Sequence, residues 1–352
     1  MTFGVSESEM FGDVSEAIDT VLDRTVAPGY GSTGLLIRRH LASWPADLPR
    51  MDGKVALVTG ARSGLGLATG KGFARLGASV RALARDPQRA ERAATEISAE
   101  VPGADVRAVA CDVSSLRDVV AFARRFAEQE SRLDVLVNNA GVMPAQRARS
   151  ADGHELMFAT HVLAPFALTS LLAELLERSA PARVINVSSG GMYGQRLPHG
   201  DLQSERTAYR PAKLYARTKR EQVVITEQWA EQLRGSGVVV HAMHPGWVDT
   251  TGLRQSLRVF SIVTRPIIRT PEQGADTIVW LGAGPAALRS TGKFWHDRRE
   301  RPTHYAIGAS DDSPRDRQDL WELCESMLAR AGVSNPGAGR MVTLGPQDRG
   351  GR

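Results

Sequence analysis

The stretch YRPAKLYARTK, residues 209–219, holds the pattern Tyr-x-x-x-Lys twice, as Tyr209 with Lys213 and as Tyr215 with Lys219. A tyrosine one helical turn from a lysine is an acid–base device. A free phenol has a pKa of about 10, and a cation ~4 Å away at an effective dielectric of ~20 contributes ~4 kcal/mol, roughly three pKa units toward neutrality. The pairing requires both residues on one helix face, which four-residue spacing gives only inside a helix. Pro211 separates the two candidates. It has no N–H, fits a first helical turn, and pushes the residue before it out of the helical region. Tyr209 then lies outside the helix, lining the site entrance or packed under its loop. Tyr215 and Lys219 lie within it, and Ala216, Val223, Ala230 and Leu233 recur as a face to bury.

A second constellation is TGARSGLG, residues 59–66, at the end of the apolar run VALVTG and directly before a helical segment. Gly60, Gly64 and Gly66 let the backbone turn tightly and approach a diphosphate, which exposed N–H groups and the helix dipole attract. A turn needed only for packing is the alternative. The context gives the motif meaning, because an alternating pattern follows. Candidate strands are 55–60, 79–85, 105–112, 133–141, 182–190 and 237–246, with helix-length segments between them and a later strand over 291–297. Apolar strands alternating with helices predict a parallel sheet covered on both faces, a Rossmann-type, doubly wound α/β fold in three layers.

The chain divides into an N-terminal extension (1–50), the main domain (51–310), a C-terminal helix packed on it (311–334, helical over 314–331) and a flexible tail (335–352). In the extension an acidic helical segment precedes the turn-rich APGYGSTG. LLIRRHLASW then reads as an amphipathic helix with Leu35, Leu36, Leu41 and Trp44 inward, packed on the main domain or docked on a membrane surface.

With 352 residues, 42% apolar and 24% charged, the composition is that of a soluble globular protein. No apolar run reaches the ~18 residues of a membrane span and the start does not read as a signal peptide, so a cytoplasmic location is expected. Cys111 and Cys324 have no zinc-like spacing and read as reduced core thiols, and a net charge of +5 with scattered arginines gives no nucleic-acid footprint.

The spacing Gly-x-x-x-Gly-x-Gly resembles the short-chain dehydrogenase/reductase superfamily. NNAG (138–141), Ser189 after the fifth strand, Tyr-x-x-x-Lys, and HPGWVDT (244–250) follow in that family's order over roughly residues 51–300, and the interval from Tyr215 to HPG is similar to that of its retinol-dehydrogenase-like members. The resemblance implies a nicotinamide-dependent oxidoreductase that interconverts a carbonyl and an alcohol. It implies Tyr215 as the acid/base, Lys219 on the nicotinamide ribose, and Ser189, rather than Ser188, orienting the carbonyl. Cofactor contacts are implied for Gly60, Arg62, Ser63, Gly64, Leu65, Gly66, Asp112, Val113, Asn139, Ala140, Gly141, Pro245, Gly246, Val248 and Thr250.

Ala84 stands where an NAD enzyme carries a ribose-binding acid, and Arg85 follows it, with Arg62 in the glycine turn. A guanidinium matches a phosphate, so NADP(H) is favoured over NAD(H). Asp86 turning back to the ribose is the alternative. Asp112 is either beside the adenine or a helix N-cap.

His161 occupies the family's asparagine position. Pro165 offers no N–H to the His161 carbonyl, leaving it for the water of a proton relay toward Lys219. The imidazole itself either titrates near neutrality or fills space as a buried neutral ring. The substrate is expected to be an apolar lipid, steroid, retinoid or aromatic carbonyl, bounded by Met192–Arg210 and by LRQSLRVFSIVTRPII as a lid. Two copies pairing through the helix of Tyr215 is a further partner expectation, and a non-catalytic nucleotide-binding regulator is the competing class.

Overall fold

The computed structural model describes residues 7–41, 44–45, 48–249, 267–305 and 312–333, without the side chains of residues 7–13 and 27. Thr250, most of the apolar stretch 253–268 and the tail 335–352 fall outside these residues.

Three helices come first: α1 (Glu7–Arg24), α2 (Val26–Tyr30) and α3 (Ser32–Arg39). The alternating region follows as β1 (Val55–Thr59), α4 (Gly64–Arg75), β2 (Ser79–Ala84), α5 (Pro87–Glu100), β3 (Val106–Ala110), α6 (Leu116–Gln129) and β4 (Val135–Asn138). Next are α7 (Leu156–Phe158), a π-helical turn over Ala159–Leu163, α8 (Ala164–Leu171), α9 (Ala173–Arg178) and β5 (Ala182–Val187). A 3-10 turn (Gly190–Gly194) leads to α10 (Pro211–Gln232) and β6 (Val238–Met243). The described chain closes with α11 (Pro271–Ala283), β7 (Phe294–His296), β8 (Arg299–Arg301) and α12 (Pro314–Arg330).

The eight strands run in the order β3-β2-β1-β4-β5-β6-β7-β8. All neighbours are parallel except the β7–β8 hairpin. The inner strands are buried along their whole length, as near-continuous apolar runs require when helices cover both faces. One apolar layer joins the sheet to α6, α8, α9, α10 and α12, and the other joins it to α4, α5 and α11. Chain order reverses between β1 and β4, which opens a crevice at the carboxyl ends of these strands, the ligand site of doubly wound sheets.

Several expectations need correction at the edges. APGYGSTG is not a turn region: it supplies α2 and the start of α3. Leu35 is fully buried but Leu36 is 49% exposed, because α3 turns Gly34, Leu35 and Arg38 inward, Gly34 against α2 and Arg38 onto Asp297 of the domain. The exposed large apolar side chains among the described residues are Val14, Ile18, Val21, Val26, Leu36 and Ile37, all in this segment. No helix of the described residues is long and apolar enough to cross a membrane. The strand β8 escapes sequence reading because its hairpin turns on Asp297 and Arg298, at φ 49° and 59°, rather than on a glycine. Cys111 and Cys324 are free and buried.

Candidate active site

The turn between β1 and α4 is bound to the end of β4. Thr59 Oγ1 accepts from the Asn139 and Ala140 N–H groups at 2.9 and 3.0 Å, and Asn139 Nδ2 donates to the Thr59 carbonyl at 2.8 Å. Gly60 has φ of 69°, and a Cβ on Gly66 would fall 2.4 Å from the Gly60 carbonyl oxygen. These positions admit only glycine. Ser63 is the N-cap of α4 yet makes no capping bond with its side chain, so the first N–H groups of α4 face outward beside exposed Arg62 and Ser63. Gly64 starts that helix. Leu65 turns its side chain into the core, so only its backbone N–H faces this cradle. The cradle suits a diphosphate, by shape and by dipole.

At the end of β2, Arg85 is exposed with Nε 4.0 Å from Asp112 Oδ2. Asp86 is the N-cap of α5, its Oδ1 accepting from the Arg89 N–H at 2.9 Å. Asp112 is not the helix cap that the sequence offered as its alternative role. It accepts from the N–H and hydroxyl of Ser114, and Ser115 caps α6. Val113 is half-buried against the core, and Asn139, Ala140 and Gly141 form the crevice edge at the end of β4.

The two tyrosines separate as Pro211 requires. Arg210 is the N-cap of α10 with Pro211 in its first turn. Tyr209 precedes the helix and its hydroxyl donates to the Pro144 carbonyl at 2.6 Å, tying it to the loop after β4. Tyr215 and Lys219 are one turn apart inside α10, with Lys219 Nζ 5.6 Å from the centroid of the Tyr215 ring. Ala216, Val223, Ala230 and Leu233 are buried beneath them.

Ser188 is buried and its hydroxyl donates to the Lys219 carbonyl at 2.8 Å, whereas Ser189 is partly exposed and caps the 3-10 turn by accepting from the Gly191 N–H. A Cβ on Gly191 would lie 3.5 Å from Ala216 Cβ and 3.7 Å from Ser189 Oγ, so the turn that Ser189 caps packs on α10 at the residue after Tyr215.

The electrostatics differ from simple acidification of the tyrosine by its lysine. Lys219 is 2% exposed and donates to the Val187 carbonyl at 2.7 Å and to Gln222 Oε1 at 3.1 Å. Burial pulls its pKa down to about 7. Burial pushes Tyr215 up to about 12, although part of the residue remains exposed. Desolvation disfavours both charged forms, and it outweighs the attraction between them.

His161 is fully buried on the π-helical turn, with its ring edge-on to Tyr215 at 5.3 Å. Its Nε2 accepts from the Val142 N–H at 2.9 Å, and Nδ1 lies 2.8 Å from Thr218 Oγ1. A peptide N–H only donates, so Nε2 carries a lone pair and Nδ1 the proton. The Thr218 hydroxyl in turn donates to the Tyr215 carbonyl at 2.9 Å. Burial, then the charge of Lys219, holds the imidazole pKa well below its ordinary value. Of the two readings of the side chain, burial favours the buried neutral ring. It does not titrate near neutrality, and it is bonded at both nitrogens rather than filling space. Sequence reasoning missed Thr218 and Gln222; their places one turn after Tyr215 and one turn after Lys219 on α10 were the available signal.

After β6, Gly246 has φ of 77° and its N–H meets His244 Nδ1 at 3.1 Å. The bridge between Val248 and Arg269 uses the Trp247 carbonyl and the Asp249 N–H, so Val248's own peptide groups are not those engaged there. Pro245 offers its carbonyl to Arg269 Nη1 at 3.2 Å.

An eight-stranded sheet of this order, a glycine turn at its switch point and a helical Tyr-x-x-x-Lys beside it define a dinucleotide-dependent oxidoreductase fold. The family model of short chain dehydrogenase matches residues 54–259, and the chain belongs to that family. It is similar to dehydrogenase/reductase SDR family member 12 of Bos taurus, 41% identical over 288 residues, 81% of this chain and 90% of the relative. It is also similar to retinol dehydrogenase 14 of Mus musculus, 36% identical over 294 residues, 79% of this chain and 86% of the relative. Among solved structures, the Pseudomonas aeruginosa RhlG/NADP active-site complex aligns with a TM-score of 0.58 at 28% identity, over 70% of this chain and 94% of that one.

Proposed function

We propose that this protein is an NADP(H)-dependent oxidoreductase that interconverts an apolar carbonyl compound and its alcohol, with Tyr215 as the acid/base. The observation that carries the reading is the gathering of Ser189, Tyr215 and Lys219 around the carboxyl end of β5, next to a glycine cradle suited to a diphosphate. Family membership brings NAD(P)-dependent oxidoreduction. The name of the retinol dehydrogenase relative supports an apolar substrate.

The nicotinamide supplies or accepts a hydride at its C4 when bound. The residues of this chain do the rest. Tyr215 is a neutral phenol at physiological pH, so it donates a proton to the carbonyl oxygen as that oxygen gains charge, and takes one back in the reverse direction. The Ser189 hydroxyl donates to the same oxygen and fixes its direction. Lys219, poised to change protonation near pH 7, bonds the ribose hydroxyls and returns the proton to Tyr215. The His161 carbonyl meets no N–H from Pro165 and serves as a holding point for the relay water, while the imidazole steadies Val142 and Thr218. Arg85 and Arg62, exposed at the end of β2 and in the glycine turn, bind the 2′-phosphate, while Asp86 is engaged as the N-cap of α5.

The test adds NADPH or NADH with a panel of retinoid, steroid, long-chain and aromatic carbonyls. Tyr215→Phe is expected to lower kcat by ~10²–10⁴-fold while NADPH still binds, and Tyr209→Phe to retain most activity. Loss with Tyr209→Phe alone would refute the assignment. Arg85→Ala is expected to weaken NADPH binding about tenfold or more and to leave NADH unchanged. Tight NADPH binding without turnover of any carbonyl would favour a nucleotide-binding regulator instead.

A further inference from the structure

The N-terminal segment does not merely lie on the domain; it is fastened to the loop that follows β6. Arg38 on α3 is 1% exposed and donates to Asp19 of α1, to Asp297 in the β7–β8 turn, and to the Gly29 carbonyl, at 2.7, 2.7 and 2.8 Å. Arg269, equally buried, grips Asp297 with two bonds of 2.6 and 2.8 Å. It also donates to the carbonyls of Gly29 and Gly31, at 3.2 and 3.1 Å, and to that of Pro245. Two guanidiniums thus fix the peptide groups on either side of Tyr30 relative to the Pro245 turn. Buried charges this densely paired hold geometry, since breaking a partner strands a charge in a low dielectric.

Tyr30 is what this fastening presents. Its carbonyl accepts from the Trp247 N–H at 2.8 Å. Its ring lies 4.4 Å from His244 and 5.2 Å from His296, centroid to centroid. On the other side the ring abuts Gly190, where a Cβ would fall 2.5 Å from Tyr30 Cε2 and 3.0 Å from Cζ. Gly190 follows Ser189 directly, and His244 to Trp247 form the turn at the end of β6. The tyrosine is therefore wedged between the carboxyl ends of two adjacent strands, one leading to the carbonyl-orienting hydroxyl of the proposed function and the other to the turn at Pro245 and Gly246, where the family resemblance implies cofactor contacts.

We infer that residues 7–41 form a wall of the reaction cleft and that Tyr30 is a positioning residue, setting the spacing between the Ser189 loop and the Pro245–Trp247 turn. This rests on the oxidoreductase reading above. The ring acts as a spacer, so its hydroxyl is dispensable. A missing ring lets the serine loop and the turn drift apart, and a misplacement of about 1 Å costs on the order of 10²-fold in rate. The adenosine half of the dinucleotide, bound near β1 to β3, is untouched.

The experiment is a double-mutant cycle on the full chain with Tyr30→Ala and Gly190→Ala, with Tyr30→Phe as the conservative variant. Tyr30→Ala is expected to lower kcat tenfold or more while the dissociation constant of NADPH changes less than about threefold; Tyr30→Phe should stay near wild type. Gly190→Ala should impair turnover by displacing the ring, and Tyr30→Ala in the same chain should relieve that clash, so the two effects are not multiplicative. Multiplicative effects, or an unchanged kcat in a folded Tyr30→Ala protein, would overturn the inference. If Tyr30→Ala fails to fold, Tyr30→Leu replaces it. A second readout needs no turnover: the emission spectrum of bound NADPH is expected to shift in Tyr30→Ala, and an identical spectrum would count against the wall. Loss of the oxidoreductase reading shows differently, as wild type binding NADPH with no carbonyl turned over.

Discussion

Replacing His161 by phenylalanine keeps a ring of similar size in a fully buried site and removes both of its hydrogen bonds. The Val142 N–H loses its acceptor, and an unsatisfied buried donor costs ~1–3 kcal/mol. Thr218 loses less, because its hydroxyl still donates to the Tyr215 carbonyl. The sum is a destabilisation of ~2 kcal/mol, measurable by urea denaturation, where it moves the midpoint and leaves the slope unchanged. His161→Gln keeps an acceptor near the place of Nε2, and His161→Asn keeps a donor near that of Nδ1, so each should recover part of the loss. Ring-nitrogen NMR of wild type is the companion assay. It should report the Nδ1-protonated neutral tautomer throughout the range where a free imidazole titrates, since protonating Nε2 would set two donors against each other at Val142. A ring titrating at pH 6 to 7, or a folded His161→Phe protein as stable as wild type, would refute the reasoning.

Two further predictions concern α10. Lys219 has its pKa lowered from 10.5 to about 7, so the unfolded chain holds the extra proton between those values and wild-type stability rises with pH across that window. Lys219→Met lacks this cost. It should be the more stable protein at pH 7 and inactive, with an advantage that shrinks by up to ~1.4 kcal/mol per pH unit toward pH 10 in parallel denaturation series. Glu221 is fully buried with no hydrogen-bond partner among the described residues for either carboxylate oxygen, and burial raises its pKa well above 4.5. The folded state keeps the proton, so stability falls as pH rises above the ordinary glutamate value. Glu221→Gln should therefore stabilise the protein by ~1–3 kcal/mol at neutral pH and by little below pH 4; equal stability of the two proteins at pH 7 would count against a neutral Glu221.

Much of this site is local in the chain, and local features are legible. The glycine turn and the break at Pro211 each act within a few residues, through φ restriction or a missing N–H. The strand–helix alternation carries the sheet and its switch point for the same reason. Period and burial are properties of neighbouring residues.

Only the tertiary structure decided the states of the groups. The Tyr215 and Lys219 pKa values move against the direction that their spacing implies, because desolvation depends on what covers a side chain and not on its sequence neighbours. His161 meets Val142 and Thr218 from 19 and 57 residues away, and its tautomer follows from which partner can only donate. Tyr30 reaches Gly190 across a longer gap still, held by Arg269 and Asp297 from farther along the chain. By itself the sequence determined the strand–helix alternation and the glycine turn at its first crossover. Packing set the charge and partners of the site residues and the wall that closes around them.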